Sequence, residues 1–408
     1  MPTRTIRSAP SLANVRYEIR GKLARRAQEM ERMGYDITML NIGNPGAFGF
    51  RTPETMRLAM IENLRTAEGY CHQKGIFPAR EAVVMQQQSR GVMNTTADDV
   101  FMGNGVSELI LFALRALLDE GDEVLVPSPD YPLWTAATHL NDGKAVHYPC
   151  RLELGWQPDI EALRKLVTKK TRAIVIISPN NPTGAVYPRD TLQAMVDIAE
   201  EHGLVVFSDE IYDRITYEGA EYTPVATLVK HTLCGTFSGL SKVYRSCGFR
   251  VGWLSFSGEK DHAQDYLLGL DTICSLRLCS NVIGQWAVQT ALGGHQSIYD
   301  LTKPGGRLFQ TRATVLEGCA RSKYLKVLPP RGAIYAFPGV DLGKLPDFDD
   351  QKFAWDLLER QHVLVAPGSS FNFAPRNQFR MTLLPDEKTM VDVLGRMEAL
   401  LDEYAAGG

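Results

Sequence analysis

Short runs of apolar, often β-branched residues alternate along this chain with longer stretches in which apolar residues recur at every third or fourth position. The first pattern is typical of buried strands and the second of amphipathic helices. Their alternation predicts parallel βα units, and therefore an α/β fold in which helices flank a mostly parallel sheet. The predicted strands of this sheet are residues 100–102, 123–126, 173–177, 204–207, 232–237 and 251–256.

The helical pattern is clearest in residues 109–118 and 192–201. The second stretch is followed by His202 and Gly203. A glycine directly after a helix is a common C-cap, because it adopts a left-handed conformation without strain. Gly203 therefore predicts where that helix ends and the next strand begins.

The pattern changes near residue 300, where prolines and glycines become frequent and the strand-like segments become shorter. These segments are residues 333–337, 363–366 and 379–383. They suit a separate, smaller sheet, and a chain of 408 residues is too long for one compact core. We therefore predict a large domain of residues 46–300 and a smaller, discontinuous domain of residues 1–45 and 301–408.

Composition and charge narrow the possible functions. The formal net charge is −3 and no long block of Lys or Arg occurs, so there is no electrostatic reason to expect binding to nucleic acid. No apolar run is long enough to span a bilayer, so we expect no membrane partner. Seven cysteines are scattered without a C-x-x-C pair, and H-E-x-x-H is absent. We therefore expect reduced thiols, a cytoplasmic location and no metal site.

The N-terminus allows one alternative for the location. Its first basic residues are Arg4, Arg7, Arg16 and Arg20. Only one acidic residue, Glu18, precedes Glu29, and a basic segment that lacks acids is typical of an organelle presequence. We favour a different interpretation, in which this segment folds over a ligand pocket.

Polar, glycine-rich or proline-rich clusters directly follow five of the predicted strands. They are residues 103–108, 127–132, 178–184, 208–212 and 238–242. In open α/β sheets ligands bind beyond the carboxyl ends of the strands, which meet at one edge of the sheet. We therefore predict a single ligand pocket to which all five clusters contribute.

The first and fourth clusters each suggest a ligand group. The backbone N–H groups of residues 103–107, between a strand and a helix, suit a phosphate, although a purely structural turn is an equal alternative. This is not a dinucleotide-binding fingerprint, because Glu108 occupies the third glycine position. Asp209 follows a strand that should be buried, and a buried carboxylate needs a cation or strong donors. A helix-capping role is the structural alternative for Asp209.

The remaining candidates are cations and aromatic rings. A lysine is usually solvated, but at the edge of an apolar pocket the amine of Lys242 would become a nucleophile that attacks carbonyl groups. Arg250 enters an apolar run and can bind phosphate oxygens with two N–H groups. Tyr131 offers a flat face to a ligand ring or packs in the core. Arg380, a single charge in an apolar strand, needs a carboxylate from a substrate or from an internal salt bridge.

Three motifs in these clusters carry a resemblance to a known family. Residues 178–184 are similar to N-P-x-N-P-T-G with Ser178 first, residues 208–212 to D-E-x-Y, and residues 237–253 to a lysine motif followed by G-x-R-x-G-W. In this order and spacing they make the chain, over residues 15–385, similar to the class I aminotransferases of pyridoxal-5′-phosphate (PLP) fold type I. The resemblance implies a large domain with a mostly parallel sheet flanked by helices, plus a smaller α+β domain.

The resemblance also implies how the cofactor PLP would be bound. Lys242 would hold it covalently and move a proton in catalysis, Asp209 would pair with the ring nitrogen, and Tyr131 would stack on the ring. The other implied cofactor-binding residues are Val106, Ser107 and Arg250 at the phosphate, Asn181 and Tyr212 at the ring hydroxyl, and Tyr70 from the second subunit of a homodimer with shared active sites.

One position departs from the family pattern. Many relatives have a serine three residues before the lysine, where it contributes to the phosphate site, and this chain has Gly239 there. We expect Ser241 or Ser238 to take its place.

A substrate site follows from the same resemblance, which implies that Gly43, Asn181 and Arg380 receive the α-carboxylate of the substrate. Within the family the likeness is to bacterial alanine (glutamate–pyruvate) aminotransferases. It lies in residues 15–21, 40–50, 69–75, 127–137 and 275–281. We add the hypothesis that Tyr17 and Arg20 fold over the pocket, with Arg20 binding the second carboxylate of glutamate; a place on the surface is the alternative for Arg20.

The function implied is transfer of an amino group from L-alanine to 2-oxoglutarate, in a ping-pong cycle between the PLP and pyridoxamine-phosphate forms. The partners are therefore small amino acids and 2-oxo acids. Branched-chain or aromatic amino acids are alternative donors. A PLP-dependent lyase or decarboxylase, or a non-catalytic regulator on the same fold, are the alternative functions.

Overall fold

The computed structural model describes residues 5–9, 12, 13, 15 and 17–407. Two arginines of the basic N-terminal segment, Arg4 and Arg16, lie outside the described residues. Among the helices described, none is both long and apolar enough to cross a membrane. Within the same residues, no group of three or more His, Cys, Asp or Glu side chains lies close enough together to bind a metal ion.

Fifteen strands occur in the described part of the chain. In chain order they are β1 (Thr38–Met39), β2 (Val100–Gly103), β3 (Glu123–Ser128), β4 (Lys144–Arg151), β5 (Gln157–Pro158), β6 (Thr171–Ile177), β7 (Val205–Asp209), β8 (Leu233–Gly239), β9 (Gly252–Gly258), β10 (Leu325–Lys326), β11 (Tyr335–Ala336), β12 (Gly339–Val340), β13 (Val363–Leu364), β14 (Ala366–Pro367) and β15 (Phe379–Thr382). All six predicted strands of the large sheet are confirmed, with ends shifted by one or two residues.

Thirteen α-helices occur in the same residues. They are α1 (Lys22–Arg32), α2 (Glu54–Glu62), α3 (Phe77–Ser89), α4 (Val106–Leu117), α5 (Leu133–Leu140), α6 (Ile160–Leu166), α7 (Arg189–His202), α8 (Gln264–Leu276), α9 (Val282–Gly293), α10 (Ile298–Thr302), α11 (Arg307–Arg321), α12 (Asp350–Gln361) and α13 (Glu387–Ala406). The predicted end of α7 is confirmed, because Gly203 caps it with a φ of 62°.

The large sheet has eight strands in the order β2-β9-β8-β7-β6-β3-β4-β5. Strands β8, β7, β6, β3 and β4 run parallel, whereas β9 is antiparallel to both of its neighbours and β5 is antiparallel to β4. The predicted mostly parallel sheet is therefore confirmed. Strand β4 was not predicted, because it lacks a continuous apolar run, and only two of its eight residues are fully buried.

Helices cover both faces of this sheet, which explains why its strands are apolar throughout. In β6, Ala173, Val175 and Ile177 belong to the core shared with α4, α5 and α8. The alternate residues Ile174 and Ile176 pack in the core shared with α6 and α7. Because successive side chains of a strand point to opposite faces, burial on both faces requires this uninterrupted apolar run.

The smaller unit is built from the two ends of the chain. Strand β1 pairs in parallel with β13, with Thr38 opposite Val363, and β11, β15 and β14 form a three-stranded antiparallel sheet. The predicted strand 363–366 is divided into two short strands, β13 and β14. We retain residues 1–45 and 301–408 as the proposed smaller domain, and the pairing of β1 with β13 supports joining these two segments.

Candidate active site

A cavity of about 830 Å³ lies at the carboxyl ends of the large-sheet strands. Its position follows from the strand register, because Ile177, Asp209 and Phe237 lie side by side on β6, β7 and β8. The polar clusters after these strands must therefore lie together, as predicted. Thirteen of the predicted site residues line the cavity, and they are Tyr17, Arg20, Gly43, Val106, Ser107, Tyr131, Asn181, Asp209, Tyr212, Ser241, Lys242, Arg250 and Arg380.

Tyr70 is a predicted site residue that does not line this cavity, and its side chain is 82% exposed. A single subunit therefore does not bring Tyr70 to the other site residues. The sequence-based expectation that it serves the site of a second subunit stays a prediction.

The predicted anion site has the geometry of a helix N-terminus. Gly105 precedes α4 with a φ of 86°, and Val106 and Ser107 are the first residues of that helix. Arg250 lies against the turn and donates to the Asn104 carbonyl at 3.1 Å. A side chain on residue 105 would collide with the Arg250 guanidinium. The N–H groups and dipole of α4 together with this cation suit a phosphate.

Glu108 explains why this turn departs from a dinucleotide-binding loop. Its carboxylate accepts hydrogen bonds from the Asn104 backbone and side chain, both at 2.9 Å, and forms an ion pair with Arg277. The residue at the third glycine position therefore holds the turn together instead of leaving room for a dinucleotide.

Asp209 ends β7 and is almost completely buried. Its carboxylate accepts hydrogen bonds from the Trp134 indole at 3.1 Å and from the Ile211 backbone at 3.4 Å. Among the described residues no Lys, Arg or His forms an ion pair with it, and burial raises the pKa of Asp209 to about 6. A buried carboxylate with only neutral donors is suited to a cationic ligand group, such as a protonated pyridine nitrogen.

Lys242 lies three residues beyond the end of β8, and its ammonium group donates to the Gly43 carbonyl at 2.6 Å. This bond links the loop after β8 to the N-terminal segment. The predicted amine and the predicted acid, Asp209, therefore line the same cavity. An amine, a buried acid and an anion site in one cavity fit an aldehyde cofactor that carries a basic ring nitrogen and a phosphate.

Gly239 is required by close packing, which explains its departure from the family pattern. A Cβ atom at this position would lie 2.8 Å from the Val251 carbonyl and 3.0 Å from the Gly252 Cα. A serine therefore does not fit at position 239. Of the two proposed replacements, Ser241 lines the cavity and Ser238 does not.

Arg380 lies in β15 and is 1% exposed. It donates to the Asn181 side chain at 2.7 Å and to the Asn41 carbonyl. Its guanidinium lies 4.1 Å from the centre of the Tyr335 ring and 4.6 Å from that of Phe371. The structure has no ion pair between Arg380 and a carboxylate of the described chain, so the internal salt bridge that we considered is absent from that part. Its charge is available to a substrate carboxylate.

Tyr17 and Tyr131 bring the N-terminal segment over the cavity. Their hydroxyl groups are 3.1 Å apart and their rings meet edge to face at 6.4 Å. Burial raises the pKa of both hydroxyl groups, so both stay protonated and neutral. Arg20, three residues after Tyr17, also lines the cavity. The predicted contact of this segment with the pocket is therefore present.

Tyr335 and Trp134 were not predicted, although both contact predicted site residues. Tyr335 lines the cavity and accepts a hydrogen bond from the Tyr212 hydroxyl at 3.2 Å. Burial raises the pKa of Tyr335, but the nearby Lys242 and Arg380 charges outweigh this effect and lower it. Tyr335 belongs to the short buried strand β11 and Trp134 to the mostly buried helix α5, so neither was singled out from the sequence.

The fold and the cavity together define an aminotransferase. Residues 35–396 match the model of the family described as aminotransferase class I and II. This match covers most of the chain, and the protein therefore belongs to that family. The resemblance on which the site residues were predicted is confirmed at the level of the family.

Individual relatives narrow this family further. The chain is 47% identical over 399 residues to the glutamate-pyruvate aminotransferase AlaA of Escherichia coli K12, covering 98% of each chain. It is 44% identical over 402 residues to an alanine aminotransferase of Mycobacterium bovis, covering 98% of this chain and 94% of the relative. An aminotransferase crystal structure from Escherichia coli superimposes with a TM-score of 0.97 at 46% identity, covering 98% of this chain and 100% of that chain.

Proposed function

We propose that this protein transfers the amino group of L-alanine to 2-oxoglutarate, giving pyruvate and L-glutamate. The observation that carries this proposal is one cavity that contains an amine, a buried acid that has no cationic partner among the described residues, and a buried arginine that has no carboxylate partner among them. The names of the full-length relatives support alanine and glutamate as the amino acids.

PLP is the cofactor that we assign to this cavity. Its phosphate would lie at the N-terminus of α4 near Arg250, its ring nitrogen at Asp209, and its reactive carbon at Lys242. When bound, it supplies the electron sink that stabilises negative charge on the Cα atom of the amino acid. The Trp134 indole would keep the Asp209 carboxylate oriented toward the ring nitrogen, while Asn181 and Tyr212 would bind the ring hydroxyl.

The side chains divide the chemical work between binding and proton transfer. Arg380 would bind the α-carboxylate, and Asn181 and the backbone of Gly43 would fix its orientation. Lys242, once its amine is free, would take the proton from the substrate Cα and deliver it to the C4′ atom of the cofactor. Tyr131 and Tyr17 would cover the cavity and exclude water, which strengthens the interactions of both buried charges.

Glutamate and alanine differ by one carboxylate, so a single pocket needs an additional cation for only one of them. Arg20 is at the cavity, and its backbone belongs to the short 3-10 helix Glu18–Arg20 near the mouth. We propose that Arg20 binds the second carboxylate of glutamate and turns toward solvent when alanine is bound. Its exposed position supports such movement.

We further propose a homodimer in which Tyr70 reaches the second active site, in a cytoplasmic protein. The segment around Tyr70 packs beside α8 through bonds from Gln73 to Asp271 at 3.3 Å. Several large apolar side chains near this segment are strongly exposed, among them Leu276 at 83% and Phe77 at 56%. An apolar surface of this kind is typical of a subunit interface.

Steady-state kinetics with a panel of amino donors and 2-oxoglutarate tests the proposal. We expect alanine to give the highest kcat/KM, with double-reciprocal lines that stay parallel as the second substrate is varied. A higher kcat/KM for a branched-chain or aromatic amino acid would show that this amino acid, and not alanine, is the preferred donor. Product formation from an amino acid alone, at multiple turnovers, would instead indicate a lyase.

A further inference from the structure

Two parts of the cavity lining come from distant parts of the chain, and the segments that carry them are joined by several hydrogen bonds outside the cavity. Tyr131 follows β3, and Arg380 lies in β15. Directly before Tyr131, the Asp130 backbone donates to the Phe371 carbonyl at 3.0 Å. The Asn372 side chain donates to the Asp130 carboxylate at 2.9 Å. The loop after β3 is thus tied to the segment before β15.

Phe371 connects this contact to Arg380, the cation that would bind the substrate carboxylate. Its ring is completely buried, and its centre lies 4.6 Å from the Arg380 guanidinium, which also lies 4.1 Å from the centre of the Tyr335 ring. Cation–π attraction to both rings stabilises the guanidinium in its position. Phe371 therefore contributes to the position of Arg380. The backbone of Phe371 is held by the backbone of residue 130, and the next residue, Asn372, is held by the Asp130 carboxylate.

Packing alone does not explain a carboxylate at position 130. Asp130 is completely buried, and its second oxygen accepts a hydrogen bond from Thr135 at 2.6 Å. Its nearest basic group is His147 at 3.9 Å, which is itself bound to Thr135 at 2.9 Å. Burial raises the pKa of Asp130 to about 7 and lowers that of His147 to about 4, so no strong ion pair compensates for burial. A buried carboxylate without such compensation costs free energy, and we therefore attribute its presence to the positions in which it holds its hydrogen-bond donors.

We propose that Asp130 is a positioning residue for the substrate carboxylate, acting by holding Asn372 and Phe371 so that Arg380 stays aligned with the cavity. This inference rests on the proposed function only in assigning Arg380 to a carboxylate. Asp130 itself does not line the cavity and touches no reacting atom. Its effect should therefore fall on carboxylate affinity rather than on the chemical step.

Two substitutions remove the hydrogen bond between the Asn372 side chain and the Asp130 carboxylate, each from one side, and both keep the backbone bond to Phe371. Asp130→Ala removes the acceptor, and Asn372→Gly removes the donor while keeping the backbone, because the φ of 52° at this residue suits glycine. In the purified holoenzyme we expect each to weaken binding of glutarate, an unreactive dicarboxylate, and to raise KM for alanine by about tenfold, with kcat changed less than about threefold. The double variant should bind glutarate no more weakly than the weaker-binding single variant, because both substitutions remove the same hydrogen bond.

Asp130→Asn should restore glutarate affinity to within about threefold of the original protein. Its carbonyl can accept from Asn372, and its amide can donate to Thr135 while the Thr135 hydroxyl turns to His147. Glu123→Ala is the matched control, since Glu123 is a buried carboxylate at the opposite end of β3 and bonds Thr168 at 2.6 Å, far from the cavity opening. This control should lower the melting temperature and leave glutarate affinity unchanged.

Unchanged glutarate affinity in both Asp130→Ala and Asn372→Gly would overturn the proposal and leave Asp130 a stabilising residue. Equal losses of affinity in the Glu123→Ala control would overturn it as well. Should Asp130→Ala not fold, Asn372→Gly decides the question, because Asn372 is only half-buried. Failure of the proposed function is separate, since it would appear as absent alanine turnover in the unmodified enzyme.

Discussion

Asp209 and Arg380 are buried charges in the same cavity, yet the chain supports them in different ways. Asp209 ends a central strand, and its neutral hydrogen-bond donors come from the same large domain. Arg380 is held by acceptors and rings from several distant segments, among them Asn41, Asn181 and Phe371. We call the first region the cofactor half (residues after β2, β7 and β8) and the second the substrate half (the N-terminal segment and the residues around β15).

The difference between the two halves has a physical consequence. In the cofactor half, the register of the central strands determines where Asp209 and the loop that carries Lys242 lie, and the long-range contacts of these residues add to a position that the sheet already sets. In the substrate half, each side chain depends on long-range contacts that can shift when a segment moves. We expect changes in the cofactor half to abolish the reaction and changes in the substrate half to alter affinity and specificity.

The largest expected effect is that of Lys242→Ala. Loss of the amine should lower kcat by about 10⁴-fold, the upper range for a general acid–base group. Mass spectrometry after borohydride reduction should find cofactor attached to the original protein and none attached to the variant. Glutarate should still bind, because Arg380 is unchanged. A variant that retained fast turnover would show that another group performs the proton transfer.

Asp209→Asn tests the electrostatic cost of the cofactor half in the cofactor-free protein. Burial raises the pKa of Asp209 from 3.8 to about 6. The folded state therefore holds this proton more tightly than the unfolded state, which adds to the free energy of unfolding below pH 4. This stabilisation is lost as the pH rises through 6. The difference corresponds to about 3 kcal/mol. Denaturant unfolding between pH 4 and 8 should show this loss in the original protein and not in Asp209→Asn.

Addition of PLP should reduce that loss, because a ring cation next to Asp209 lowers the pKa of its carboxyl group again. The other titratable groups are common to both proteins, so the comparison isolates Asp209. Identical pH dependence in the two cofactor-free proteins would mean that Asp209 has an ionic partner that compensates for its burial.

Arg380→Ala separates the two halves. Removal of a buried, charge-assisted hydrogen-bond donor should raise KM for alanine and for 2-oxoglutarate by about 10- to 100-fold. The dissociation constant of PLP should change less than about twofold. A similar loss of PLP affinity would contradict the division of the cavity into independent halves.

The smallest expected effect is that of Arg20→Ala, which sharpens the comparison within the substrate half. KM for glutamate and 2-oxoglutarate should rise about tenfold, and less at high salt, while KM for alanine stays within about twofold. Arg25→Ala is the matched control, because Arg25 is exposed nearby and does not line the cavity. Equal losses for alanine and glutamate would leave Arg20 without a role in specificity.

The sequence predicted that the residues of the cofactor half line one cavity, and it could do so for a physical reason. Each of its residues follows a continuous apolar run, and parallel strands bring such positions to one edge of the sheet. Asp209, Lys242 and the turn before Val106 could therefore be assigned to one pocket before any contact was known. Only the reason for Gly239 needed the structure, because the Val251 carbonyl that excludes a side chain lies directly before the neighbouring strand β9.

The substrate half was predicted less completely, because its contacts join residues that are distant in sequence. Arg380 was recognised as an isolated charge in an apolar strand, but nothing in its neighbourhood indicated Tyr335 or Phe371 as the rings that contact it. Tyr335 follows no polar cluster and has the pattern of a core residue. The bond between Asp130 and Asn372 spans 242 residues and leaves no local pattern.

Transfer of labelled nitrogen in two separate steps tests the proposed reaction most directly. Holoenzyme would be incubated with ¹⁵N-L-alanine in the absence of any 2-oxo acid, freed of small molecules, and then mixed with 2-oxoglutarate. We expect pyruvate in the first step and ¹⁵N-glutamate in the second, each at about one equivalent per subunit. Release of labelled ammonia in the first step, or glutamate without label in the second, would contradict the proposed reaction.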